Sequence, residues 1–144
     1  MTLLETLVVV SLVSIMLMVA YPSLTAGLDG VKLATSADTV VSFLNSAVSR
    51  AERTHQVVEI TISRRENALA ARTADPKSVR EMKMPEGIVI AAILPEAGAN
   101  EELRRFYLLP GGTVPRIGVE LRNPHGGKRI VRVNPITGAP EIER

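Results

Sequence analysis

Between Thr6 and Leu28 the chain carries no charged residue, and Leu7 to Ala20 within that stretch is nearly continuous aliphatic. As a helix rising ~1.5 Å per residue, the uncharged run is roughly 34 Å long. That is enough to cross a hydrocarbon core of about 30 Å. Nearly all the remaining charge follows Val31. The 144 residues therefore divide into a hydrophobic membrane-embedded segment, 1–28, and a water-soluble domain, 29–144, whose size suits a single hydrophobic core. The segment does not read as a cleavable signal peptide. No Lys or Arg precedes it, and no small-residue cleavage site stands around Val19-Ala20-Tyr21-Pro22. A plain single-pass anchor remains the simple alternative.

After Pro22 the pattern turns amphipathic. Leu33, Ala37, Val40, Leu44, Ala47 and Ala51 recur at three- and four-residue spacing, with Val41 and Val48 widening the stripe. Lys32, Asp38, Ser42, Asn45, Ser49 and Arg50 occupy the opposite face. The spacing predicts one helix from about Thr2 to Arg53, ending at His55 as a C-terminal cap. Pro22, Gly27 and Gly30 are its weak points, since Pro removes a backbone donor and Gly lowers helix propensity. A kink or partly melted stretch between Ala20 and Val31 is expected there. The competing reading ends one helix in this stretch and begins another after a loop.

From Gln56 the period shortens to two. Val58, Ile60 and Ile62 share one face of a half-buried strand, Arg64-Arg65-Glu66-Asn67 is a polar turn, and Ala68–Arg72 returns. Further strands follow in 87–94, 105–109, 117–121, 129–133 and 141–143, separated by turns rich in Gly, Pro and Asn. The fold class is α+β, a long N-terminal helix packed on one or two antiparallel sheets.

One charge interrupts the apolar N-terminus. Glu5 stands a single helical turn from the α-amine of Met1, about 6 Å along the axis. Snorkelling to the headgroups is the simple account of such a carboxylate. The other gives it a partner: if helices pack side by side with an axial stagger, Glu5 of one subunit meets the amine of another. That pair neutralises both charges in apolar surroundings.

The segment Met1-Thr2-Leu3-Leu4-Glu5-Thr6-Leu7-Val8-Val9-Val10 resembles the processed N-terminus of type IV pilins and type II secretion pseudopilins. The resemblance implies that Met1 is the cleaved, N-methylated first residue, that Glu5 is the assembly carboxylate and that Pro22 is the family's helix-kinking proline. The family's basic leader does not precede Met1, so the numbering is that expected of the processed chain. Phe106–Gly112, Ile117–Leu121 and Lys128–Gly138 are similar to the C-terminal strands of H-type minor pseudopilins, the GspH/FimT family, and 48–58 to its helix-to-strand junction. Residues 64–104 carry no resemblance.

Membership implies a single-pass bacterial inner-membrane protein with a periplasmic domain. The implied partners are other pilin-like subunits, met through the N-terminal helices, the inner-membrane assembly platform and the prepilin peptidase, with secreted cargo as a further candidate. It also raises a second function, DNA capture by a minor pilin. Arg122, His125, Lys128, Arg129 and Arg132 are the candidate anion patch, but Glu141 and Glu143 flank it and the alternation is that of an ordinary solvated hairpin. A third reading makes the chain a major pilus subunit.

Composition closes several other routes. With no Cys there is no disulfide, thiolate metal site or Cys nucleophile. Two His, far apart, and Asp only at positions 29, 38 and 75 argue against a metal centre, including the calcium loop of major pseudopilins. No phosphate loop, nucleophile elbow or other catalytic spacing occurs, so neither an enzyme nor a cofactor is expected.

Overall fold

The computed structural model describes residues 2–75, 78–96, 98 and 101–143. One helix, α1 (Leu3–Thr54), is followed by eight strands: β1 (Val58–Ser63), β2 (Ala68–Arg72), β3 (Val79–Lys83), β4 (Val89–Leu94), β5 (Leu103–Leu108), β6 (Gly118–Arg122), β7 (Lys128–Val133) and β8 (Pro140–Glu143).

The helix starts where Thr2 caps it, its hydroxyl accepting from the Glu5 N–H at 3.3 Å. It ends where His55 takes a left-handed conformation at φ 50°. Between these caps it is unbroken for 52 residues, about 78 Å. No melted stretch interrupts it, and no loop divides it. Pro22 lies within the helix, and Gly27 and Gly30 are helical. Hydroxyls hold several turns from the side: Ser11 and Ser14 donate to the carbonyls of Leu7 and Val10, and Thr25 to that of Pro22.

Only the second half of α1 is covered. Leu33, Ala37, Val40, Leu44, Ala47 and Ala51 are all buried, as their spacing predicts, and Ser36 and Phe43 join them. Against this stripe lie two four-stranded antiparallel sheets, ordered β3-β2-β1-β5 and β4-β6-β7-β8. Ile60, Ile62 and Leu69 of the first sheet and Val119, Leu121 and Val131 of the second complete one core.

Asn67 joins the two sheets. It sits in the left-handed region at φ 52°, where Asn is tolerated. From the β1–β2 turn its side-chain amide donates to the Ile88 carbonyl at 2.7 Å, and its oxygen accepts from the Ile90 N–H at 2.8 Å. Gly118 permits the second sheet's close packing, because a Cβ there would stand 2.8 Å from the Leu94 Cβ and 3.2 Å from the Arg132 Cγ.

Within 64–104, where sequence resemblance is silent, the chain forms β3 at one edge of the first sheet and β4 at one edge of the second. β3 (Val79-Arg80-Glu81-Met82-Lys83) is exposed except for the half-buried Met82.

Candidate assembly interface

From Thr2 to Lys32 no described residue is buried, although the segment is mostly aliphatic. Leu3 is 86% exposed, Met18 80% and Val19 70%. A stretch of about 45 Å thus projects from the domain with apolar side chains on every side. An apolar surface that large is not left in water. It is long and apolar enough to cross a membrane, and equally suited to packing against other helices.

Glu5 stands in the first turn of this segment, its side chain exposed and its backbone N–H held by Thr2. Thr2-x-x-Glu5 has the spacing of a capping box, and an acid in the first turn also complements the helix dipole. The expected partner, Met1, lies outside the described residues. Pro22 is exposed, on the same projecting segment.

The segment is clamped to the domain just before it becomes covered. Asp29 Oδ2 is 2.9 Å from Nδ1 of His125, in the β6–β7 turn, and Asp29 Oδ1 is 3.9 Å from Lys32 Nζ. The Asn123–Gly127 turn that presents His125 is closed by Asn123, whose Oδ1 accepts from the Gly127 N–H at 2.6 Å.

The candidate anion patch is not an open cationic surface. Glu120, buried in β6, binds two of its members. Arg122 Nη2 is 2.6 Å from Oε1, and Lys128 Nζ is 3.3 Å from Oε2. Arg132 lies 3.1 Å from Glu143. Arg129 alternates onto the face of the buried Val131 and Val133, opposite to Lys128 and Arg132. Of the five patch residues, Arg122, Lys128 and Arg132 therefore have a carboxylate partner, His125 faces Asp29, and Arg129 lies on the other face of the strand.

Glu120 is the residue that sequence reading missed, because an acid between Val119 and Leu121 reads as the exposed side of a strand. Burial alone pushes its carboxyl up, but hydrogen bonds and charges from Arg122 and Lys128 outweigh burial and hold it below the usual carboxylate range. A carboxyl whose pKa is lower folded than unfolded stabilises the fold above its ordinary value, and that contribution is lost as pH falls through the folded value. Glu120→Gln should thus cost about 1 kcal/mol at neutral pH, a figure kept small because both cations are half exposed. At an acid pH below that lowered folded value, wild type and variant should converge. Urea titrations following Tyr107 fluorescence at both pH values check this; a pH-independent difference contradicts it.

A helix half bare and half packed on two antiparallel sheets has a solved counterpart. The fold matches the structure of the minor pseudopilin EpsH from the Type 2 Secretion System of Vibrio cholerae, with a TM-score of 0.60. This is a pilin-like fold. The match spans 78% of the present chain and 96% of the other at 12% identity, so it is a likeness of architecture. Neither a family model nor a curated protein matches the sequence.

Proposed function

We propose that the chain is a structural subunit of a type IV-like filament, specifically a minor pseudopilin of a type II secretion system. The observation that carries this reading is the bare apolar half of α1, continuous with the helix that forms the domain's core. Before assembly it anchors the chain in the bacterial inner membrane with the domain in the periplasm. After assembly it packs among the helices of neighbouring subunits. The role needs no catalysis by this chain. Processing by the prepilin peptidase, N-methylation at Met1, engagement of the assembly platform and contact with secreted cargo belong to the same reading. So does a helix bend at Pro22.

DNA capture has less support, since Glu120 and Glu143 already hold Arg122, Lys128 and Arg132. Phosphates would have to compete with carboxylates in place. The major-subunit reading differs in stoichiometry, which cross-linking measures.

The chain has no Cys, so a cysteine at Met16, 71% exposed on the bare segment, is a clean probe. Paired with one at Asn45, exposed on the covered half, it is oxidised in the native membrane. The expected product is a single cross-link to another pilin-like chain. A ladder of self-linked species indicates a major subunit, and no cross-link through Met16 leaves only a membrane anchor.

A further inference from the structure

Where α1 ends, a pocket of about 430 Å³ opens between its last two turns and the inner face of the first sheet. Three arginines stand round it: Arg50 and Arg53 from the helix and Arg80 from β3. Thr54, Thr73 and Ser78 add hydroxyls, and among the described residues the lining contains no acid. Asp75, in the connection that carries Ser78, is not among the lining residues. None of the three arginines forms an ion pair among the described residues, whereas Arg104, Arg105, Arg122 and Arg132 all do.

Two details show a built site. Arg80 is held in place: its Nη1 donates to the Ser46 hydroxyl at 3.2 Å, and its guanidinium lies 6.0 Å from the centre of the Phe43 ring. The Ser78 hydroxyl is buried and has no hydrogen-bond partner among the described residues. A buried hydroxyl without a partner is costly, and a χ1 turn of Ser78 toward the pocket it lines would let a ligand oxygen satisfy it. Basic residues in the last turn of a helix also offset its dipole, which accounts for Arg53. It does not account for Arg80 in β3 or for Ser78 in the connection just before it.

We propose that this pocket binds the carboxylate side chains of an acidic protein segment supplied by a partner. Guanidinium groups match carboxylates in a two-pronged geometry, and a χ1 turn of Ser78 would offer its hydroxyl to the same ligand. Nucleic acid suits the site less well. Among the described residues no aromatic lines it for base stacking, and Arg80 covers the Phe43 ring beneath. A lipid headgroup is out of reach, since Arg50 lies about 30 Å along the helix beyond Val31. β3 adds a further element of fit: it is an edge strand of its sheet, and an extended segment pairing there would lay its side chains at the pocket mouth. The inference depends on the pocket alone and stands whether or not the chain assembles into filaments.

The test uses the full chain in non-ionic detergent, a fluorescein-labelled hexaglutamate peptide and low salt, with binding read by anisotropy. Saturable binding is expected, weakened tenfold or more in Arg50→Gln/Arg80→Gln, since each charged hydrogen bond lost is worth roughly a factor of ten. Arg64→Gln/Arg65→Gln, removing equal charge beyond the other end of β1, should leave it within about twofold. Ser78→Ala should weaken it without changing charge. Equal losses in the two double variants would reduce the effect to net charge and overturn the proposal, as would absence of binding. Tighter binding of a labelled DNA duplex through the same arginines, or of inorganic phosphate in competition, would overturn the assignment to acidic protein.

Discussion

Glu5→Gln should remove the chain from filaments while leaving it in the membrane. Gln is chosen because two accounts of Glu5 part company there. If the residue serves only the helix start, with Thr2 accepting from its N–H, then Gln serves as well, since either residue completes a capping box. If its charge meets the N-terminal amine of a neighbouring subunit, Gln leaves that amine unpaired among aliphatic side chains. A lone charge in such surroundings costs about 2.5 to 3.5 kcal/mol, so incorporation should fall on the order of 100-fold. Membrane insertion should not suffer, because an amide enters hydrocarbon more readily than a carboxylate. Shearing filaments from cells and comparing the amounts of the chain in the sheared and membrane fractions gives the answer. Wild-type incorporation of Glu5→Gln sinks the charge-pair account and leaves Glu5 as a cap.

How much of this was legible in the sequence follows from the range of the interactions. The helical stripe from Leu33 to Ala51 and the alternation of Val58, Ile60 and Ile62 are local patterns, and every one of those residues is buried. The single helix from about Thr2 to Arg53 was legible in that spacing, but its regularity between Ala20 and Val31 was not, because Pro22 and the glycines predict a partly melted stretch where the structure has none. β3 escaped because an exposed edge strand need not alternate: Val79, Arg80 and Glu81 are all exposed. Glu120 and Asn67 escaped for a different reason. Each draws its importance from partners in another element, Glu120 from Lys128 across the strand pair and Asn67 from β4 of the other sheet. The arginine pocket is of the same kind, bringing Arg50 and Arg80 together across 30 positions of chain. The bare half of the helix was fully legible, since what marks it is the absence of charge.

On the proposed role the unbroken helix serves two purposes with one backbone, and substitutions should separate them. Leu44 is fully buried in the core shared by both sheets, while Leu17 is 63% exposed on the bare segment. The side chains are the same, so the surroundings alone set the cost. Truncation at Leu44 loses the transfer energy of the side chain and leaves a cavity in the core between the helix and both sheets. Leu44→Ala should cost about 3 kcal/mol, lowering the unfolding temperature of the domain by roughly 10 to 20 °C given its size. Leu17→Ala removes no contact within the domain and should change that temperature by less than about 2 °C. Scanning calorimetry of the full chain in detergent measures both. Filament incorporation should show the opposite order at a growth temperature where the Leu44→Ala domain remains folded, because in the proposed assembly Leu17 would meet neighbouring helices and the buried Leu44 would not. If Leu17→Ala lowers the domain's unfolding temperature as much as Leu44→Ala, the two halves of α1 are not independent and the division of labour fails.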